Sequence, residues 1–508
     1  MSTLAPPSEF LAACPRFRVL VLGSPESTKQ ELFTKVFGVD LEKIYVDEAF
    51  SPNHDITQEF TLQNQNSRVA IHASLNFGPG TGGDNEANYQ RVHDFLAARA
   101  SPSTPLQDRI HAIWYCVASE EDRLVGDLER RFFSNSEDSL HAVAPGVPVT
   151  LVFTKYDDFV VRVKHEWSKD AEERGLSKVA VSYILRDLAT KRFEQEIGKR
   201  WDEVLRNGNS AIPRVCVSSP DVDEDARSFE LLAETALARL RDKSVKLAFA
   251  AAQRISAPIS TRYCAETASE YFEVDTGHAR KVAGVDMCDI LPDFFAKTVQ
   301  LFNLRDPTSI LDPDPAPPAA DSLLARILFA TFDDSRRAIV SDALLRSGTD
   351  TDSLVLALTP HDRAVLLAQA LAAVLLYFHR LADTQWPHGV LPASYSLGPE
   401  TLSRHLEDLR RDSVRDQERH AVLEEVEESN IFTTCTLRRN VAELLVKAIE
   451  KADRIRNGKA GSRHPGEART PVEVEDDSEL QEISMRFAND KSPNNAVLPC
   501  GLSILPLT

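Results

Sequence analysis

The sequence predicts an α/β fold, a mostly parallel sheet followed by an all-helical C-terminal region, and three observations carry that expectation. From Phe17 to about Leu240, short β-rich runs alternate with longer helical patterns, the signature of a parallel sheet covered on both faces. The β-rich runs are continuously apolar, as strands buried on both faces require. After about residue 243 the strand signal disappears and only helical periodicity continues.

In chain order the predicted strands are FRVLVLG (17–23), RVAIHAS (68–74), RIHAIWYCV (109–117), VPVTLVFTKYD (147–157) and PRVCVSS (213–219). Between them NEANYQRVHDFLAARA reads as a helix, and LSKVAVSYILRDLATKRFEQEIGKRWDEVLRN reads as one long helix. Residues 1–15 are an N-terminal tail, 16–245 the α/β domain and 246–305 a helical extension. Residues 306–321 carry five prolines and read as a linker. Residues 322–456 form a helical domain with Ala364–Phe378 as its apolar core, and HLEDLRRDSVRDQERHAVLEEVEES within it reads as a solvated amphipathic helix. Residues 457–508 have the acidic, Gly/Pro/Ser-rich composition of a disordered tail. There is no internal repeat.

Charge and cysteine usage exclude several classes. A net charge of −19, with no Lys/Arg stripe, argues against nucleic-acid binding and against anionic membranes. The seven cysteines, at 14, 116, 216, 264, 288, 435 and 500, form no C-x-x-C pair and no disulfide framework, which points to a reducing, intracellular compartment, the cytoplasm by default. MSTLAPPSEFLAACPRF lacks the basic and apolar blocks of a signal peptide. Ala364–Phe378 is shorter than the ~20 residues that span a bilayer, so no membrane span is expected. The 13 histidines show no metal-binding spacing, and no G-x-S-x-G elbow appears.

The motif with chemical content is VLVLGSPESTKQ (19–30), a strand, a loop and the start of a helix. A phosphate loop reads G-x-x-x-x-G-K-[ST]; here Gly23 and Lys29 are in register, Thr28 stands at the second Gly, and Gln30 replaces the hydroxyl. Lys29 would cradle the β- and γ-phosphates, or is a solvent-facing lysine at a helix start. At the end of the strand VPVTLVF, Thr154-Lys155-Tyr156-Asp157 matches [NT]-K-x-D. In GTP-binding proteins, which this pattern resembles, the carboxylate accepts hydrogen bonds from guanine N1 and the exocyclic amine, and the Lys stem lies over the base; adenine offers no such donor pair. The alternative for Asp157 is an N-cap of the following helix. Ser218 and Ser219, ending the next strand, fit the small-residue turn that contacts the guanine oxygen. FGPGTGGDN (77–85) reads as a loop.

This order of elements resembles the translation-factor-type GTPase superfamily of P-loop proteins, and more closely a group of large fungal GTPase-like proteins with a helical C-terminal extension. His54-Asp55-Ile56, Ile71-His72-Ala73-Ser74 with Phe77, Leu106-Gln107-Asp108 before IHAIWYC, PVTLVFTKYD and KLAFAAAQRIS carry the closer resemblance, over roughly residues 17–260. It implies a P-loop GTPase-like domain binding GTP or GDP, with Gly23, Thr28, Lys29 and Gln30 at the phosphates and Thr154, Lys155, Asp157, Ser218 and Ser219 at the guanine.

The departures fall on metal chemistry. Magnesium is held in such sites by the Ser/Thr after the loop Lys and, through water, by the Asp of D-x-x-G. Gln30 takes the first position, Ala73 the second, and Asn76 the place of the Gly. Magnesium binding is therefore doubtful, no metal ligands are assigned, Thr57 is not read as a switch residue, and efficient hydrolysis is not expected. Three readings stay open: a pseudo-GTPase with a regulatory or scaffold role, a slow GTPase with metal ligands elsewhere, and a helical interaction protein whose α/β half no longer binds nucleotide. The partner is an unidentified protein, and a homodimer is left open.

Overall fold

In the computed structural model the residues described are 10–23, 29–39, 56–62, 66–74, 85–119, 125–137, 139–174, 178–206, 212–218, 226–272, 287–304, 311, 322–345, 354, 358–386, 399–411, 413–429 and 437–460. The α/β half runs β1 (Phe17–Gly23), α1 (Lys29–Phe37), β2 (Phe60–Leu62), β3 (Asn66–Ala73), α2 (Asn85–Arg99), β4 (Ala112–Ala118), α3 (Asp127–Phe132), α4 (Leu140–Val143), β5 (Val149–Thr154), α5 (Tyr156–Arg174), α6 (Lys178–Phe193), α7 (Lys199–Arg206) and β6 (Arg214–Cys216). Among the described residues every later element is helical: α8 (Ala226–Arg239), α9 (Lys243–Ala252), α10 (Ala257–Ser269), α11 (Met287–Phe302), α12 (Leu323–Thr331), α13 (Asp334–Leu345), α14 (Pro360–Gln385), α15 (Pro399–Arg411), α16 (Ser413–Glu427) and α17 (Leu437–Ala460), with short 3-10 turns between.

The sheet order is β2-β3-β1-β4-β5-β6. Strands β3, β1, β4, β5 and β6 are parallel, and β2 adds an antiparallel edge. Every residue of β1, β4 and β5 is buried, the physical reason for their uninterrupted apolar text. The sheet splits the core in two. Leu20, Leu22, Tyr115 and Phe153 face α2, α3, α5, α6 and α7 through Tyr89, Phe132, Phe159, Phe193 and Trp201. Val19, Val21, Ile71, Trp114 and Val152 face α1, α8 and α9, and this second core continues without interruption into α10–α17. The helices on either side of the Pro-rich stretch thus share one core with the sheet.

Four details depart from the sequence reading. Strand β2 was not expected; it is three residues long and pairs antiparallel with β3 across an irregular register at Thr61/Leu62. The long helix before β6 is broken by a five-residue π turn, Glu194–Gly198, at which Arg214 donates to the Gly198 carbonyl at 3.2 Å and pairs with Glu194 and Asp202. The charged segment read as one solvated helix is two, α15 and α16. Their Leu402, Leu406, Val422 and Val426 are buried, so the amphipathic face belongs to the core. The last helix runs on to Ala460, four residues past the expected edge at 456.

The apolar segment 364–378 lies inside α14, begun by Thr359 as N-cap and Pro360 in the first turn. Among the described residues it is the one helix long and apolar enough to cross a membrane, and its apolar window is 94% buried against the other helices.

Three polar contacts lock the two halves together. Asn66 Nδ2 donates to Phe37 O at 2.9 Å and Ala252 O at 2.7 Å, while its Oδ1 accepts from Asn303 Nδ2 and from the Arg68 amide. Arg254 N donates to Val36 O at 2.7 Å, so the C-terminal carbonyls of α1 are capped by neighbouring elements. Gly38, at φ 64°, turns the chain there, and a Cβ on it would meet the Arg254 side chain.

Candidate functional site

In a parallel sheet, ligands bind beyond the carboxyl ends of the strands, where the strand order reverses. Here the chain moves outward from β1 to β3 and then back across to β4, so the reversal lies at β1 and its neighbours. Gly23 ends β1 at that point. Its φ is 123°, and a Cβ there would lie 2.0 Å from the Cys116 carbonyl oxygen of β4. Only glycine fits. The segment 24–28, including Thr28, lies outside the described residues; α1 opens with the backbone of Lys29 and Gln30.

One strand over, β3 ends at Ala73, which is paired in register with Val21, and Ser74 N donates to Val21 O at 3.0 Å. The adjacent His72 is fully buried, contacts the Phe95 ring, and bonds through Nδ1 to Ile56 O at 3.0 Å; its Nε2 has no hydrogen-bond partner. Burial lowers its pKa to about 4, against the raising effect of the Ile56 carbonyl, so the ring is neutral at neutral pH. Thr57 is exposed. Asn76 and the Gly-rich stretch 77–84 lie outside the described residues.

The TKYD residues stand beyond the carboxyl end of β5. Thr154 is fully buried and donates through Oγ1 to Val117 O at 3.4 Å; its carbonyl accepts from Ser119 N at 2.9 Å. Lys155 has φ 55°, one of two non-glycine residues with positive φ among those described. A left-handed lysine is a strained conformation that surrounding structure must hold in place. The ladder does so on both sides: Tyr156 N donates to Val217 O at 3.2 Å and Val217 N to Phe153 O at 2.7 Å. Tyr156 itself packs against Phe159 and Phe193. Asp157 is not the helix N-cap, because α5 begins one residue earlier and Asp157 lies in its first turn. Its Oδ1 is buried with no hydrogen-bond partner.

Ser218 is buried just past β6, which ends at Cys216, and Ser219 lies outside the described residues. Thr154, Lys155, Asp157 and Ser218 are therefore brought together at the ends of two paired strands, whereas Gly23 lies two strands away across β4. Ser119 is a residue that sequence reading missed: it follows β4, is 2% exposed, and its Oγ has no hydrogen-bond partner. No motif marks it; only the end of the apolar run IHAIWYCVA at a serine hints at it.

Two other clusters are structural. Cys14 Sγ lies 3.6 Å from His111 Nε2, a thiol–imidazole pair, but His111 Nδ1 accepts from Arg18 N at 2.9 Å and its Nε2–H faces Leu106 O at 2.9 Å. Burial pushes the thiol up to about 12 and the imidazole down to about 4, so neither is a nucleophile or base near neutral pH. His379, Asp383 and Asp453 present ligand atoms within 4.8 Å of one another. Arg380 reaches Asp453 at 2.5 Å and Asp383 at 3.3 Å, and Arg456 reaches Asp383 at 2.8 Å. With two guanidinium groups on those carboxylates, the cluster is an ion network and not a metal centre.

The chain matches no family model and no curated protein sequence.

Proposed function

We propose that the chain is a guanine-nucleotide-binding, GTPase-like protein that holds GTP or GDP with little or no hydrolysis and acts on a protein partner in a regulatory or scaffold role. The observation that carries this reading is Asp157, a buried carboxylate oxygen without a partner, beside a lysine held left-handed at the carboxyl end of β5. A buried acceptor with no donor is destabilising until a ligand supplies one. Guanine N1–H and its exocyclic amine would supply two. The Lys155 stem would cover the base. The strand order, with one antiparallel edge strand and with α1 and α8 packed on the same face, supports the same reading, as does the glycine required at the end of β1.

The two positions that hold magnesium in such sites carry neither a hydroxyl nor a carboxylate. Ala73, at the end of β3, offers a methyl group, and the sequence places Gln30 where a hydroxyl would bind the metal. No catalytic step is therefore assigned, and binding is expected to be indifferent to magnesium.

Calorimetric titration with GTP, GDP and ATP, each with and without magnesium, tests the proposal. Guanine-selective binding unaffected by magnesium supports it. An Asp157→Asn variant should lose GDP and gain xanthosine diphosphate, whose 2-oxo group accepts where guanine donates. Equal binding of ATP and GTP, or none of either, would sink the reading.

A further inference from the structure

Ser119 carries an inference that rests on the guanine-nucleotide reading and extends it. Its strand, β4, lies between β1, where the phosphate-loop pattern begins, and β5, which leads to Lys155 and Asp157. A nucleotide laid across these strand ends, phosphates at β1 and base at β5, has its sugar and first phosphate over β4. The Ser119 backbone is tied to that place by its bond to Thr154 O. The residue is 2% exposed and its buried hydroxyl is unbonded, although a serine rotor turns freely to find an acceptor where one exists.

Other buried polar atoms lack partners too. Trp114 Nε1 and the Tyr377 hydroxyl are examples, but both belong to large rings whose packing in the apolar core explains their position. Ser119 has no such packing role. An alanine would keep the Cβ without burying an unbonded hydroxyl, and would make the folded chain more stable.

We propose that the Ser119 hydroxyl donates a hydrogen bond to an oxygen of the nucleotide's sugar–phosphate portion, either a ribose oxygen or a phosphoryl oxygen. The full chain is tested as Ser119→Ala and Ser119→Cys. Without ligand, Ser119→Ala should melt at a higher temperature than wild type. It should bind GDP about 5–10-fold more weakly, the loss that follows from removing one neutral hydrogen bond. Ser119→Cys, slightly larger and with only a weak donor, should lie between the two in affinity. The preference for GDP over ADP should be unchanged, since Asp157 is untouched. A loss shared by guanosine, GMP and GDP assigns the bond to the ribose; a loss confined to GMP and GDP assigns it to the phosphate. Wild-type affinity in both variants overturns the assignment of Ser119 and leaves the guanine reading standing. Absence of GDP binding by the wild-type chain overturns both.

Discussion

Replacing Gly23 by alanine separates two physical effects at the end of β1. The first is conformational: φ 123° belongs to a region that an L-residue enters at about 1–3 kcal/mol. The second is steric. An added Cβ would stand 2.0 Å from the Cys116 oxygen and 2.9 Å from its carbonyl carbon, against about 3.4 Å for ordinary contact, so the strands would have to part by about 1.4 Å. They cannot do so freely, because β1 and β4 are hydrogen-bonded in register from Val19/Ala112 to Gly23/Cys116, inside two packed cores. Forced overpacking adds about 1–3 kcal/mol. Gly23→Ala should therefore destabilise by about 3–5 kcal/mol, a large share of the ~5–15 kcal/mol that holds a typical domain. Gly146 is the control: its φ is 87°, yet no atom lies within 4 Å of its would-be Cβ, so Gly146→Ala should lose only the conformational part, about 1–2 kcal/mol. Urea denaturation followed by circular dichroism measures both. A Gly23→Ala loss below 1 kcal/mol, or equal losses at the two sites, would refute the reasoning.

His72 and His111 have folded pKa values lowered to about 4 by burial, against about 6.5 unfolded, so the unfolded chain takes up protons first. Their stabilising contribution is full above pH 6.5 and is lost as pH falls from 6.5 towards 4, on the order of 2–3 kcal/mol each; His72→Gln should reduce the slope of urea midpoint against pH in that window by about one proton, and an unchanged slope would count against it. Cys14, buried and pushed up to about 12 by that burial, should resist iodoacetamide at pH 8 in the native chain and react only on unfolding, as peptide mass spectrometry would report; rapid native labelling would contradict the packing. Asn66→Ala takes a donor from the Phe37 and Ala252 carbonyls and leaves the Asn303 amide with Ala251 O alone, and should destabilise by about 2–4 kcal/mol; in the Asn66→Ala/Asn303→Ala double variant the losses should fall short of additive. Glu418, 2% exposed, pairs with Arg380 Nε at 3.1 Å; Glu418→Ala should destabilise by about 2–4 kcal/mol in thermal melts, and because Arg380 also holds Asp383 and Asp453, adding Arg380→Met should deepen the loss and not repair it.

The strands legible in the text were those whose burial on both faces writes a continuous apolar run. Strand β2 was illegible because it is only three residues long and exists through its pairing with β3, a non-local cause. Strand β3 begins two residues earlier than its apolar text because Asn66, a polar residue, is held by carbonyls of α1 and α9. The π turn before β6 depends on Arg214, a side chain that follows it in sequence, so helical periodicity alone could not reveal the break. At the candidate site, TKYD and its strand were readable. What was not readable is conformational: the positive φ of Lys155, the first-turn position of Asp157, and the unbonded hydroxyl of Ser119. Gly23 was chosen by motif spacing, but the structure gives it a separate reason, the nearness of the Cys116 carbonyl.

Unbonded buried atoms are scattered through this fold, so their number does not identify a site. Position and cause do. Asn66, by contrast, uses both amide hydrogens and both lone pairs of its oxygen. At the joined ends of β4 and β5 a strained lysine, an acceptor without a donor and a hydroxyl without an acceptor occur within one hydrogen-bonded junction, Ser119 N to Thr154 O. Each of these features disfavours the empty fold by on the order of 1–3 kcal/mol. A sequence under selection for stability alone would remove the first and the third with Gly at 155 and Ala at 119, single changes that need no repacking. A bound molecule carrying both donors and acceptors reverses the sign of the two polar terms, which is why this junction is where binding should be sought.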